Sequence, residues 1–267
     1  MKVTNTGNTT KYLVTDNALQ EIKTTRYKNG KSKTRNRYFD GDPDGESISW
    51  FETGELESKC FYKLGLLEGK FEWFYKGGQI ELIENYKCGS LHGVSKVWSS
   101  SGVLVKQLNY SNGEHEGELK EWHENGNIKV LVQYKKGIKQ GTEKCFYPTG
   151  ELQQITTYVN DIKDGESTVF YQIGQKKQIL YSTKGKLHGE CTTWFSDGKV
   201  SGIQRFKKGL KHGCFTEFNN DGKPVVQDTF KLGKLHGFSR VWGALGILIL
   251  EEVYESGNLI LTLNGRR

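Results

Sequence analysis

The chain of 267 residues carries 33 glycines and 3 prolines, with aromatics at 12% and a formal net charge of +7. Glycine plus proline stays far below the roughly 25–30% of low-complexity chains and no G-X-Y triplet recurs, so disorder and collagen are excluded. No apolar run approaches the about 18 residues of a membrane-spanning helix, and a hydrophobic fraction of 35% is poor for a large two-sided core.

The N-terminus, MKVTNTGNTTKYLV, lacks the continuous apolar stretch of a signal peptide, so a cytoplasmic location is expected. Residues 1–20 are expected to cap the first edge of a repeat array, as terminal units of such arrays are atypical. From about residue 21 a degenerate unit begins, marked by Tyr27, Gly30, Tyr38 and Gly41. From Gly45 the period is strict. Gly45, Gly69, Gly93, Gly117, Gly141, Gly165, Gly189, Gly213 and Gly237 fall every 24 residues. A second series, Gly54 to Gly246, follows nine residues behind, and a third, Gly41 to Gly257, runs four ahead with Asp161 as its single lapse.

Aromatic residues share the period. Trp50, Phe74, Trp98, Trp122, Phe146, Phe170, Trp194, Phe218 and Trp242 stand five residues after each first-series glycine, and Tyr62, Tyr86, Tyr110, Tyr134 and Tyr158 seventeen after. An aliphatic residue occupies position eleven, except Lys176 and Pro224, so the sixth and eighth units are the weakest; Ser182 breaks the second aromatic series. Offsets five, eleven and seventeen are all odd, so the aliphatic and the second aromatic are expected to share a strand face. Asn125-Gly126, Asp197-Gly198 and Asp221-Gly222 are tight-turn dipeptides, and the glycine pair of Gly89-Ser90-Leu91-His92-Gly93 would turn the chain into the next unit.

Each unit is therefore a β-hairpin, with no room for helices. The expected fold is all-β: an elongated single-layer antiparallel sheet of about nine or ten hairpins, ~90 Å long at ~4.8 Å per strand. Its core would be a stripe of stacked Trp, Phe and Tyr over glycines. One array spans residues 21–260, and residues 261–267 form its C-terminal end.

G-x4-W-F-S-D-G-K at Gly189 to Lys199, Y-K-K-G-I-K-Q-G at Tyr134 to Gly141 and K-K-G-L-K-H-G at Lys207 to Gly213 resemble the MORN-repeat superfamily, in particular the bacterial variant of the YwqK-like antitoxin family. The resemblance covers about residues 21–260. It implies a hairpin array and two roles, neutralising a partner toxin or serving as a scaffold or membrane-adjacent module. It transfers no catalytic site, because the matching positions are structural.

Candidate sites follow from departures from the repeat. Cys60, Cys88, Cys145, Cys191 and Cys214 are odd in number and lack a C-x-x-C pair, which fits reduced thiols. His92, His188, His212 and His236 share one phase just before the joining glycine, but successive units are roughly 9–10 Å apart, too far for imidazoles to share a zinc with bonds of about 2.0–2.1 Å. His115 and His123 lack a nucleophile at motif spacing, and no segment has the phosphate-loop pattern. No catalytic, metal or cofactor site is expected. Glu114, Glu116, Glu118, Glu121 and Glu124 could form an acidic patch that meets a basic protein partner such as a cognate toxin. Lys63, Lys87, Lys135, Lys207 and Lys231 follow the second aromatic and could form a row that meets anionic lipid, or simply keep the array soluble. The aromatics belong to the frame, so no nucleic acid is expected.

Overall fold

The computed structural model describes residues 2–3, 7–15 and 18–264. Among them lie 28 β-strands and no helix, paired antiparallel. The chain falls into two compact units, Met1–Ile128 with Tyr134–Ile138, and Lys129–Gln133 with Lys139–Arg267. At the start, the strand Thr9–Thr15 lies against Ala18–Arg26. The remainder of the expected cap, residues 1, 4–6, 16 and 17, lies outside the described residues. At the other end the strand Asn258–Asn264 pairs with Leu248–Glu255.

One hairpin shows the construction. Gly93–Trp98 runs against Leu104–Ser111 with Gly93 opposite Tyr110, Ser95 opposite Leu108 and Trp98 opposite Leu104. The register shifts between Val97 and Trp98, leaving Val105 as an extra residue. This β-bulge changes the expected geometry. Gly93 and Trp98 are an odd number of residues apart on their strand, so their partners Tyr110 and Leu104 lie on opposite faces, and the aliphatic does not share a face with the second aromatic.

The two kinds of turn also differ. In Asp197-Gly198 and Asp221-Gly222 only the glycine has positive φ, 86° and 77°. Gly198 N–H donates to Phe195 O at 3.0 Å and Phe195 N–H to Lys199 O at 2.8 Å, a three-residue loop whose last residue is left-handed. The turns at the other end hold two left-handed residues each, such as Asn112 (51°) with Gly113 (84°), the geometry of a two-residue type I′ turn. The first-series glycine, here Gly117 at 85°, sits beyond that turn where the register slips again. At the lapse, Asn160 (51°) and Asp161 (64°) take the left-handed shape without glycine, and Asp161 N–H still donates to Lys139 O at 3.0 Å, as Gly89 does to Leu67 O and Gly113 to Leu91 O at 2.8 Å. Those bonds tie each turn to the preceding one.

Burial is thin and lies mostly on one face of each unit, with Ile48 and Thr168 buried on the other. On the main face Cys60, Ser95, Leu108 and Leu119 are buried in the first unit, and Thr156, Ser167, Cys191 and Phe215 in the second. Of the expected stripe, the second aromatic series is in ring contact and the first is not. Phe206, Phe215 and Phe230 stand 5.4 and 4.9 Å apart, and His115 lies between Tyr110 and Tyr134 at 4.7 and 5.2 Å, whereas Trp50, Trp98 and Trp194 take no part in these contacts. Their backbone carbonyls are used instead: the hydroxyls of Tyr27, Tyr75 and Tyr171 donate to the carbonyls of Trp50, Trp98 and Trp194 at 2.7, 2.9 and 2.8 Å. Each tyrosine reaches 23 residues ahead and clamps one hairpin to the next.

Candidate functional site

With one face occupied by the thin core, the opposite face is where chemistry is displayed. The strand Ser32–Phe39 alternates, with Lys33, Arg35 and Arg37 exposed between half-buried Ser32, Thr34, Asn36 and Tyr38. Arg35 donates to Glu46 at 3.0 Å, and Lys59 reaches the same carboxylate at 2.8 Å. Lys59 first, and Arg35 after it, holds the Glu46 carboxyl below the usual carboxylate range against the opposing effect of burial. The Arg35 guanidinium also lies 6.0 Å from the Trp50 ring.

Arg37 differs, having no ion pair with a described residue. Its side chain crosses Gly45, where a Cβ would come within 3.0 Å of Arg37 Cδ, so the glycine makes room for the arginine. Two open clefts meet at Arg37 and Phe61. One, of about 640 Å³, is lined further by Glu46, Lys59, Glu68, Lys70 and Glu72; the other, of about 400 Å³, includes Ile22, Phe39 and Asp44. The Phe61 side chain is 46% exposed.

The five glutamates singled out by sequence are not gathered into one patch. Glu114 lies beside a turn, opposite Ser111. Glu116 accepts the Lys136 backbone N–H at 2.8 Å. Glu118 pairs with Lys120 at 2.8 Å, and Glu121 pairs with Lys106 at 3.2 Å. Being three residues apart on one strand, Glu118 and Glu121 point to opposite faces. Glu124 accepts the Ser101 hydroxyl at 3.2 Å near the three-residue loops. Lys63, Lys87, Lys135, Lys207 and Lys231 are all exposed, each just before a left-handed turn residue. Lys63, Lys87 and Lys135 belong to the first unit, Lys207 and Lys231 to the second, and none forms an ion pair with a described residue.

The histidine phase has a structural use. Asp44, Glu68, Glu116 and Asp164 occupy the same phase, and their carboxylates accept the N–H of Leu64, Cys88, Lys136 and Lys184 at 2.9, 2.7, 2.8 and 3.3 Å. His236 Nδ1 accepts the Ser256 N–H at 3.4 Å in the same way, while His212 Nδ1 is buried with no hydrogen-bond partner among the described residues. Among the described residues no three His, Cys, Asp or Glu side chains converge as a metal site would need.

Sequence reasoning passed over the basic stripe, although its signal is plain: residues 22–39 hold seven Lys and Arg and no acid. It also passed over the clamping tyrosines, one place after the first aromatic.

Two-stranded units with short antiparallel turns, a thin core mostly on one face and a largely polar opposite face define a β-hairpin repeat protein. The MORN repeat variant family matches at residues 43–64, 67–87, 91–112, 116–136, 139–160, 187–208 and 211–232, more than half of the sequence, and the chain belongs to that family. The sixth unit, where Lys176 and Ser182 interrupt the frame, lies outside these matches. No curated protein matches the chain. A solved structure described as the crystal structure of TcdB2-TccC3-TEV is similar over 91% of this chain at 11% identity, with a TM-score of 0.20. The chain spans 15% of that protein's length, and a likeness so slight carries no argument.

Proposed function

We propose that this chain is a non-enzymatic protein-binding repeat module of the cytoplasm, and that it serves as an antitoxin or immunity protein that neutralises a partner toxin by direct contact. The observation that carries the binding role is the variety at one register position of a constant frame. On the exposed face, directly opposed residues read Glu46 with Phe61, Lys70 with Asn85, Val94 with Asn109, Glu190 with Arg205 and Cys214 with Thr229. Backbone geometry repeats while chemistry changes, which is how repeat arrays make a recognition surface. The resemblance to YwqK-like antitoxins supports the toxin as partner. The titrating groups also suit a binding role: burial raises the Cys60 and Cys191 thiols, keeping them protonated and poorly nucleophilic. Co-expression with the product of the adjacent gene tests the reading. The expected result is rescue of growth and a complex that co-purifies; a harmless neighbour, or a toxic one that is neither bound nor neutralised, removes the antitoxin role.

A second reading, a scaffold or peripheral module on anionic lipid, is favoured by the five exposed lysines, none of which forms an ion pair with a described residue. Sedimentation with phosphatidylserine vesicles at low and physiological salt decides it, because lysine-driven binding weakens as salt screens the surface.

A further inference from the structure

We propose that the exposed stripe of Lys33, Arg35 and Arg37, with the Phe61 ring beside it, docks an extended acidic segment of a protein partner, placing carboxylates on Arg37 and Lys33 and an apolar side chain on Phe61. The inference rests on the protein-binding reading above and gives the partner's chemistry and its landing place.

Three observations converge on this stripe. Strand alternation puts Arg35 and Arg37 on one face, and Lys33, the extra residue of a β-bulge between the Thr25–Thr34 and Arg26–Ser32 pairs, is exposed next to them. Their charges are not equivalent, since Arg35 shares the Glu46 carboxylate with Lys59, whereas Arg37 and Lys33 have no ion pair with a described residue. The two cations without an ion pair are four residues apart with Lys33 in the bulge, at most about 13 Å along the strand, a span that two carboxylates of a second extended chain can bridge with the long Lys33 and Arg37 side chains reaching toward them. Phe61 then supplies the apolar half. It stands 46% exposed where the two clefts meet at Arg37, so a guanidinium with no ion pair to a described residue and an unburied ring face the same ligand.

Charge selects the class of ligand. The larger cleft also holds Glu46, Glu68 and Glu72, so a nucleic-acid backbone, charged at every residue, or an anionic membrane, charged continuously, would press phosphates against carboxylates. A peptide can place its acids at the cations alone and present apolar or neutral residues to the rest.

The test is fluorescence anisotropy of the full chain with a fluorescein-labelled peptide Ser-Glu-Leu-Phe-Gly-Glu-Ser, its counterpart with glutamine at both acidic positions, oligouridine RNA and phosphatidylserine vesicles. The acidic peptide is expected to bind about tenfold or more tightly than the glutamine peptide, and less tightly as salt rises. Arg37→Gln and Phe61→Ser should each cost about tenfold, Arg37→Lys should keep most of the binding, and Lys87→Gln should change nothing. Circular dichroism of each variant separates loss of the site from loss of the fold. Equal binding of the two peptides, tighter binding of RNA or vesicles than of the acidic peptide, or full binding by folded Arg37→Gln overturns the proposal. Failure here is separable from failure of the reading beneath it: a wild-type chain that neutralises the toxin alongside an Arg37→Gln chain that does so equally sinks only this inference, whereas a wild-type chain that binds no partner sinks the reading itself.

Discussion

Single residues in this protein are set by hydrogen-bond supply at turns as much as by packing. His115 sits where Leu67, Leu91, Leu187 and Leu235 stand in other hairpins, and it lies between Tyr110 and Tyr134 with Nε2 2.9 Å from the Tyr110 hydroxyl. Burial, and after it the charge of Lys106, which is itself paired with Glu121, pushes the His115 pKa below the ordinary histidine value. The unfolded chain therefore takes up a proton at higher pH than the folded one, and stability is lost as pH falls through the ordinary value of about 6.5 and onward to the lower folded value. Urea denaturation between about pH 7 and pH 5 should show a steeper loss for the wild type than for His115→Leu, which restores the residue used elsewhere. Parallel pH profiles would refute the assignment. This pocket was not legible in the sequence, because Tyr110, His115 and Tyr134 meet only after two turns have brought three strands together.

At the scale of the element, hairpins are held internally by ladders and to one another by clamps. The Tyr75 hydroxyl donates to Trp98 O at 2.9 Å from a half-buried position. Tyr75→Phe keeps the ring and removes the bond, and should cost about 0.5–1.5 kcal/mol in equilibrium unfolding, more if no water reaches the orphaned carbonyl. Tyr12→Phe, on a side chain that is 50% exposed, is the control and should be near neutral. The hairpin itself was readable from the sequence, since a 24-residue period with turn dipeptides at both ends leaves length for two strands only. The extra residue at Val105 was not. A bulge alters which face a side chain takes without altering its spacing, so parity counted from the sequence put Leu104 and Tyr110 on one face when they occupy opposite ones.

Across the whole molecule, the weakest unit in the sequence is the place to look for local opening. In the sixth hairpin Gly165 stands opposite Ser182 and Phe170 opposite Lys176, the register of the hairpins at Gly93, Gly141 and Gly189 kept without its aliphatic and its tyrosine. Repeat stability is close to a sum of unit and neighbour terms, so backbone amides of residues 165–183 should exchange hydrogen faster than those of 189–207. Equal protection in both segments would falsify this, and Lys176→Leu should slow the exchange. The sequence by itself determined the all-β hairpin array and its family, because period, turn chemistry and strand length are local quantities that one dimension records. It also contained the basic run of residues 22–39. Only the tertiary structure decided which of those charges are satisfied. Arg35 meets Glu46 from 11 residues away and Glu116 caps Lys136 from 20, while Arg37 is left beside Phe61. Charge pairing depends on register and on which face each side chain takes, and both are fixed when the strands come together.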